Sequence, residues 1–415
     1  MEFEDRFNAI VHIYDNIETV LNNLPEAIPA PVKNTLKKAI LDDKELKALI
    51  DGIKNRRAPR FLLIGNSGHG KSSLINAILG YYHAPVSAVA VGTKTNEQYD
   101  IFENGKTVYS ILDSRGINES AGKEEEAEEQ LLLAMKNFTP DCAIYVHKAK
   151  ERSGMREEIA FLKNVREKYQ AQNKAELPII IVLTQCDELE PASKKEPASY
   201  PPRKLDYIHE AEKAAREIAK TCELEVKDVI VTSSLMEYSY SNEELDTMSA
   251  SEVKNLSIET DGRYNIEELK QLLFDSIAAM EAQMGLVAGN RVVNQLRKIA
   301  EKLTYIFAGI AGTVALTPIP VSDMFILMAL EGVLVMLISM LSGRELSYKA
   351  AIEYVAGAGG IGAVGFGLKM GAQQAVKFAN VLFPGSGSGI SAAIATAGMK
   401  MIGKTATEYY LAYTK

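Results

Sequence analysis

Residues 61 to 78 decide the fold, and they read Phe61-Leu62-Leu63-Ile64-Gly65-Asn66-Ser67-Gly68-His69-Gly70-Lys71-Ser72-Ser73-Leu74-Ile75-Asn76-Ala77-Ile78. An apolar strand leads into a glycine-rich turn, and Leu74, Ile75 and Ile78 then recur at helical spacing. The turn has the pattern G-x-x-x-x-G-K-[ST], in which backbone N–H groups of the turn and of the helix N-terminus converge on an anion. The stretch therefore predicts a phosphate-binding loop.

The polar residues of this loop have expected roles in binding a nucleotide. Lys71 should reach the outer phosphates, and the Ser72 hydroxyl should ligate Mg²⁺. The predicted nucleotide-binding residues of the loop are Asn66, Ser67, Gly68, His69, Gly70, Lys71, Ser72 and Ser73. The alternative is a glycine turn formed by chance, which would need neither the strand before it nor the helix after it.

The composition is that of a folded protein whose main partner is not nucleic acid. Its 415 residues, 47% hydrophobic and 24% charged, suffice for two or three domains with ample cores. The net charge of -8 argues against nucleic acid as a partner. The part from Gly285 onward is net basic, which indicates either an anionic membrane surface as partner or random drift in surface charge.

The cysteines and the first residues predict a cytoplasmic protein. Cys142, Cys186 and Cys222 have no paired spacing, so we expect reduced thiols. The chain begins Met1-Glu2-Phe3-Glu4-Asp5, which is acidic where a signal peptide would be positive. Export is therefore not expected.

Hydrophobic periodicity divides the chain into segments. Residues 3–24 carry one apolar stripe on a helix, which needs a partner distant in sequence, and the C-terminal region is the candidate. Strands and helices then alternate, which predicts a parallel sheet covered on both faces. We predict N-terminal helices over residues 1–56, a nucleotide-binding domain over 57–283 and a hydrophobic helical domain over 284–415.

Short polar motifs follow the predicted strands in a fixed order. After the phosphate-binding loop come Asp113-Ser114-Arg115-Gly116, Thr184-Gln185-Cys186-Asp187 and the turn Thr232-Ser233-Ser234. This order resembles the translation-factor-like class of GTPases, specifically its Era-like and dynamin-like members, over about residues 56–282. The resemblance implies a Ras-like P-loop G domain. With the helical segments, the predicted fold class is α/β plus all-α, the G domain being flanked by a helical domain built from both chain termini.

The resemblance also assigns the contacts to Mg²⁺ and the γ-phosphate. Ser72, Asp113 and a switch I threonine would hold Mg²⁺, and the spacing leaves Thr95 and Thr93 open as that threonine, with Thr95 preferred. The backbone N–H of Gly116 would contact the γ-phosphate. The implied catalytic residues are Lys71, Thr95 and Gly116.

The same resemblance assigns the base-binding residues, which are Thr184, Gln185, Asp187, Ser233, Ser234 and Leu235. Asp187 would accept hydrogen bonds from guanine N1–H and the exocyclic amine, a pair of donors that adenine lacks. The turn at Ser233 to Leu235 would meet the guanine carbonyl through a backbone N–H. Thr184 stands where Asn is usual and Gln185 where Lys is usual, so we expect modest affinity. The alternative for this motif is a helix N-cap after a strand.

We expect slow hydrolysis, because Ile117 occupies the place of a water-orienting glutamine and an alkyl side chain cannot align water. Arg115 and His69 are candidate helpers, and the alternative makes both of them solvent-facing loop residues. Two functions follow from this. One is a slow GTPase that acts as a nucleotide-dependent switch, and the other is a nucleotide-gated binding module with negligible turnover.

The hydrophobic C-terminal region indicates where such a switch acts. Its Pro-Ile-Pro-Val-Ser-Asp element at 318–323 resembles the helical domain of unknown function that follows the G domain in a group of bacterial Era-like GTPases. The layout is also similar to interferon-inducible immunity-related GTPases. Both resemblances imply membrane contact. Uncharged stretches are short, so hairpins of hydrophobic helices packed through Gly and Ala are favoured over a spanning helix.

Partners follow from these observations. We expect GTP and GDP as ligands, Mg²⁺ as cofactor and no nucleic acid. For the GTP state, the candidate partners are a membrane surface, with the protein peripheral to the inner membrane, and a second copy in a nucleotide-dependent homodimer. The alternative is a permanently closed helical core in which Ile326, Leu330 and Leu334 stay packed together.

Overall fold

The computed structural model divides the chain into two compact units. It describes residues 3–22, 30–83, 97–103, 106–114, 124–290, 293–316, 323–345, 351 and 387–412. The helical unit is Met1–Arg56 with Arg291–Lys415, and the α/β unit is Arg57–Asn290. The predicted fold class is confirmed, because both ends of the chain contribute to the helical unit. The α/β unit ends a few residues later than the predicted limit of 283.

The N-terminal helices are α1 (Phe3–Asp15), α2 (Ile17–Asn22), α3 (Ala30–Leu41) and α4 (Lys44–Lys54). The apolar stripe expected on one helix is shared by α1 and α2, because the chain turns at Asn16. The Asn16 side chain and its backbone N–H both donate hydrogen bonds to the His12 carbonyl, at 2.9 and 3.0 Å. The stripe is buried as expected, through Phe7, Ile10, Ile13, Ile17 and Leu21.

The α/β unit then alternates strands and helices. In chain order these are β1 (Arg60–Ile64), α5 (Lys71–Leu79), β2 (Glu97–Glu103), β3 (Lys106–Asp113), α6 (Glu124–Phe138), β4 (Cys142–Lys148), α7 (Met155–Asn173), β5 (Ile179–Thr184), α8 (Pro202–Thr221), β6 (Asp228–Val231), β7 (Ser233–Glu237), α9 (Asn242–Leu245), α10 (Ala250–Lys254), β8 (Thr260–Tyr264), α11 (Ile266–Ser276) and α12 (Met280–Asn290).

Strand pairing brings the predicted motifs to one edge of the main sheet. Within the described residues its order is β2-β3-β1-β4-β5-β6, and β2 alone runs antiparallel to its neighbour. Leu63 of β1 pairs with Asp113 of β3, and Ile64 pairs with Tyr145 of β4. β5 is buried along its whole length, as expected for a parallel strand covered on both faces. The carboxyl ends of β1, β3 and β5 therefore meet where ligands bind in such sheets.

The segment after β6 differs from the sequence prediction. Ser233, Ser234 and Leu235 were expected in a turn. Instead β7 and β8 form an antiparallel pair, with Ser233 opposite Tyr264 and Leu235 opposite Gly262. The prediction was wrong because neither strand alternates apolar and polar residues, so the pairing depends on contacts distant in sequence.

The C-terminal helices α13 (Val293–Leu316), α14 (Asp323–Leu341) and α15 (Gly387–Leu411) complete the helical unit. Helix α1 packs on α14, where Arg6 Nη1 donates a hydrogen bond to the Leu341 carbonyl at 3.2 Å. Helices α13 and α15 approach closely: a Cβ at Gly403 would collide with the Thr304 side chain. Close packing through glycine is what the sequence predicts here.

One helix among the described residues, Gln295–Leu316, is long and apolar enough to cross a membrane by length and composition, and 61% of its most apolar window is buried inside the structure. Mostly buried core helices of soluble proteins pass the same test. The Pro-Ile-Pro-Val-Ser element and the glycine-rich stretch at 355–367 lie outside the described residues.

Candidate functional site

The phosphate-binding loop lies between β1 and α5, and its glycines are required by its backbone. Gly68 has φ of +79° and Gly70 has φ of +85°, a region that other L-residues rarely adopt. A Cβ at Gly65 would collide with the Val146 carbonyl of β4. Gly70 is the N-cap of α5 and supplies no capping side chain, so the first N–H groups of this helix face the loop. This geometry suits an anion at the helix N-terminus.

Lys71 and Asp113 face each other across this edge. The Lys71 ammonium donates a hydrogen bond to the Gly65 carbonyl at 2.6 Å and lies 3.6 Å from Asp113 Oδ1. Asp113 ends β3, and Ser72 follows Lys71 at the start of α5. A hydroxyl and a carboxylate are the oxygen donors that Mg²⁺ prefers, so the side chains of Ser72 and Asp113 fit this ion. Thr93, Thr95, Arg115, Gly116 and Ile117 lie outside the described residues.

The motif that follows β5 is tied directly to the phosphate-binding loop. The Thr184 hydroxyl donates a hydrogen bond to the His69 carbonyl at 2.6 Å. Gln185 Nε2 donates to the Gly68 carbonyl at 3.1 Å. Gln185 adopts φ of +59°, which turns its side chain back toward the loop. These two contacts give physical roles to the two residues that depart from the usual motif.

A cavity of about 540 Å³ joins the loop to the predicted base-binding residues. Of the predicted site residues it is lined by Gly70, Ser73, Thr184, Gln185, Asp187, Ser234 and Leu235. Two buried side-chain atoms at this cavity, Gln185 Oε1 and Ser234 Oγ, have no hydrogen-bond partner among the described residues. Buried polar atoms normally have partners, so these two are suited to a polar ligand.

Other residues of the cavity were not predicted from the sequence. Tyr82, Tyr238 and Tyr240 line it together with Asn242 and Leu245 of α9. Tyr82 follows α5, and the other four residues come from the segment after β7, whose position depends on the pairing of β7 with β8. Ser233 is buried and does not line the cavity, and its hydroxyl instead accepts a hydrogen bond from the Leu235 N–H at 3.3 Å.

The side chain of His69 is buried under the phosphate-binding loop, and the residue is only 5% exposed, so the alternative that makes it a solvent-facing loop residue is wrong. Its Nδ1 is 3.2 Å from the Val146 carbonyl oxygen, and its ring contacts the buried ring of His147 edge to face. Burial, together with the nearby charge of His147, lowers the pKa of His69. The loop therefore rests on a titratable side chain that favours its neutral form.

Glu158 of α7 connects this buried cluster to the loop. Its carboxylate is 1% exposed and accepts hydrogen bonds from Asn66 Nδ2 at 2.5 Å and from the Tyr145 hydroxyl at 2.5 Å. His147 Nδ1 lies 3.4 Å from the same carboxylate. Burial disfavours the charge, but the hydrogen bonds from His147 and Tyr145 outweigh it and lower the pKa of Glu158. No local sequence signal indicates this network, since its members are distant along the chain.

Comparison with known proteins matches the part of the chain that carries the phosphate-binding loop and the motif after β5. Residues 60–185 match the family model of the 50S ribosome-binding GTPase. The tRNA modification GTPase MnmE of Campylobacter concisus is 30% identical over 121 residues, which are 26% of this chain and 26% of that protein. MnmE of Campylobacter curvus is 28% identical over 134 residues, 30% of this chain and 29% of that protein. The match thus spans about a quarter of the length of these relatives.

Solved structures show weaker likenesses. Toc33 from Arabidopsis thaliana in complex with GDP and Mg²⁺ has a TM-score of 0.33 and 13% identity, covering 66% of this chain and 96% of that one. The LeoA bacterial dynamin GTPase from ETEC has a TM-score of 0.36 and 14% identity, covering 92% of this chain and 58% of that one. The glycine-rich loop and the strand order show that this chain contains a Ras-like P-loop G domain, of which residues 60–185 match a GTPase family model.

Proposed function

We propose that the protein binds GTP and GDP with Mg²⁺ and hydrolyses GTP to GDP and phosphate. The observation that carries this proposal is the cavity of about 540 Å³, in which the phosphate-binding loop and Asp187 line one space. Lys71 would hold the outer phosphates, and Ser72 and Asp113 would hold Mg²⁺, which supplies charge neutralisation at the phosphates when bound. The partnerless Gln185 Oε1 and Ser234 Oγ would bind polar groups of the nucleotide.

Guanine is the base that this cavity suits. The Asp187 carboxylate lines it and can accept from two adjacent N–H donors, which guanine offers and adenine does not. Asp187 is half-buried, and a base that covers its carboxylate without offering those donors would cost on the order of several kcal/mol, by the general penalty for unpaired charged groups. The base-binding residues are thus proposed to be Gln185, Asp187, Ser234 and Leu235.

A single-turnover assay tests the reaction. Purified protein in excess over GTP should release phosphate, slowly because Ile117 stands where water is usually oriented, and the Lys71→Ala variant should release none. ATP in place of GTP should give no release. If wild type and Lys71→Ala both release nothing over hours, the nucleotide-gated binding module is the better description.

We further propose that the nucleotide state controls binding of the helical unit to a membrane surface or to a second copy. The support is the apolar helix Gln295–Leu316 and the net basic charge of the part from Gly285 onward. The protein would then be cytoplasmic and peripheral to the inner membrane. Sedimentation with anionic vesicles should depend on whether GDP or a GTP analogue is present. Sedimentation and particle size that ignore the nucleotide would favour a permanently closed helical core.

A further inference from the structure

A buried lysine outside the predicted motifs holds the loop that carries Asp187. Lys204 lies in the first turn of α8 and is 0% exposed. Its ammonium donates hydrogen bonds to the carbonyl of Asp187 at 2.6 Å, to that of Lys194 at 2.7 Å and to that of Pro191 at 3.4 Å. An ammonium has three N–H donors, so these carbonyls use all of them.

The remaining face of this ammonium is covered by an aromatic ring. Lys204 Nζ lies 4.7 Å from the centroid of the Tyr200 ring, within the range of a cation–π contact. The Tyr200 hydroxyl donates a hydrogen bond to the Lys195 carbonyl at 3.3 Å. The Lys204 ammonium therefore contacts the loop from Asp187 to Tyr200 near both ends of that loop.

The charge of Lys204 carries a desolvation cost in this position. Burial lowers the pKa of Lys204, an effect that the charges of Asp187 and Glu190 only partly offset. An apolar side chain of similar length would avoid the cost of removing an ammonium from water. What an apolar side chain lacks is the ability to hold three carbonyl oxygens at fixed positions.

The held carbonyl of Asp187 belongs to the residue whose side chain lines the cavity. The backbone on either side of it is also fixed. Cys186 N–H donates to the Thr232 carbonyl at 3.1 Å, and Leu189 N–H donates to the Cys186 carbonyl at 3.1 Å. A carboxylate that must accept from two adjacent donors tolerates little displacement, so a contact on its own backbone governs its selectivity.

We propose that Lys204 is a positioning residue for base recognition, which fixes the Asp187 carboxylate against the N1–H and exocyclic amine of guanine. The inference rests on the proposed guanine-nucleotide function. It assigns selectivity to a residue that does not touch the nucleotide and lies 17 positions beyond Asp187 in sequence.

The preference for GDP over IDP measures this positioning, because hypoxanthine lacks only the exocyclic amine of guanine. With a well-placed carboxylate, loss of that donor should weaken binding by roughly 10- to 100-fold. In the Lys204→Met variant we expect both affinities to fall, but that of GDP to fall further, because GDP loses two well-placed hydrogen bonds to Asp187 and IDP loses only the one from N1–H, so the ratio shrinks about 10-fold. A purely structural role would instead weaken both nucleotides equally.

Competition against a fluorescent GDP derivative gives both dissociation constants, with Mg²⁺ present throughout. Lys213→Met is the matched control, since Lys213 is an exposed lysine of the same helix, and it should keep the wild-type ratio. Tyr200→Leu removes the ring that covers the ammonium and should lower the ratio, whereas Tyr200→Phe keeps the ring and should preserve it. This second pair decides the question if Lys204→Met does not fold.

The possible results separate the two proposals. Wild-type protein that binds ADP as well as GDP would overturn the guanine-nucleotide function and this inference with it. Wild-type protein that prefers GDP, together with folded Lys204→Met or Tyr200→Leu protein that keeps the full GDP-to-IDP ratio, would overturn the role of Lys204 alone. A reduced ratio in either variant, with both controls unchanged, supports it.

Discussion

Gln185 Nε2 donates a hydrogen bond to the Gly68 carbonyl at 3.1 Å, which joins the base-binding motif to the phosphate-binding loop. The neighbouring Thr184 hydroxyl makes a second, shorter contact with the same loop at the His69 carbonyl. The two halves of the proposed nucleotide site are therefore linked through the backbone of the loop. A substitution at either residue should therefore weaken binding of the phosphates as well as of the base.

The Thr184→Val variant tests this link, because valine has nearly the shape of threonine and lacks the hydroxyl. Removal of the buried hydrogen bond to His69 should weaken GDP binding by about 1–2 kcal/mol, or roughly 5- to 30-fold. Thr184→Ser keeps the hydroxyl and should lose little. Titration calorimetry with GDP measures both, and equal affinity of Thr184→Val and wild type would show that the link does not matter.

The network around Glu158 should support the same loop from below. Glu158→Gln replaces an acceptor of the hydrogen bonds from Asn66 and Tyr145 with a mixed donor and acceptor, so we expect the free energy of unfolding to fall by about 1–3 kcal/mol. Glu157→Gln, at the exposed neighbouring position, should change it by less than about 0.5 kcal/mol. Denaturant titrations that give the same midpoint for the two variants would contradict this account.

His69 should make stability depend on pH. Burial lowers its pKa below the ordinary 6.5, so the unfolded chain binds the proton more readily than the folded protein. The stabilising contribution of neutral His69 is complete above pH 6.5 and is lost as pH falls from there toward its folded-state pKa. The His69→Val variant should lose that part of the dependence. Melting temperatures from pH 8 to pH 5.5 check this, and parallel curves for wild type and variant would refute it.

In the helical unit, two glycines of α15 form a matched pair. A Cβ at Gly403 would collide with the Thr304 side chain of α13, whereas a Cβ at Gly398 meets nothing within 4 Å among the described residues. We expect Gly403→Ala to destabilise the protein by about 1–3 kcal/mol through overpacking. Gly398→Ala should stabilise it by up to about 1 kcal/mol, since alanine is the better helix former. Thermal unfolding that ranks them in the opposite order would disprove the packing of α13 on α15.

Much of the fold was predictable because its signals are local. The glycine pattern at 65–70 needs positive φ angles and close backbone approach, and the strand and helix beside it have clear apolar periodicity. The pairing of β7 with β8 was missed because Asp261 and Gly262 disfavour a strand until the partner is present. The stripe on α1 and α2 indicated a distant partner, but the hydrophobic spacing continues through Asn16 and so gives no sign of the break there.

The site was predictable where its residues belong to the motifs recognised in the sequence. Asp187 and Ser234 do line one cavity with Gly70, as the order of the motifs implies, while their roles in binding remain predictions. His147 and Glu158 could not be inferred, since their meeting beneath the loop is set by the register of β4 and the position of α7. The burial of Lys204 could not be predicted from the sequence, because a lysine in a polar segment is normally exposed.

The identity of the base is the central claim, and the Asp187→Asn variant tests it most directly. The asparagine amide can donate to the 2-carbonyl of xanthine, whereas it can no longer accept both hydrogen bonds that guanine offers. We therefore expect GDP affinity to fall about 100-fold and XDP affinity to rise, so that the preference is reversed. Direct titration of wild type and variant with GDP, XDP and ADP gives the answer. Equal affinity of wild type for ADP and GDP, or an unchanged preference in the variant, would contradict the account.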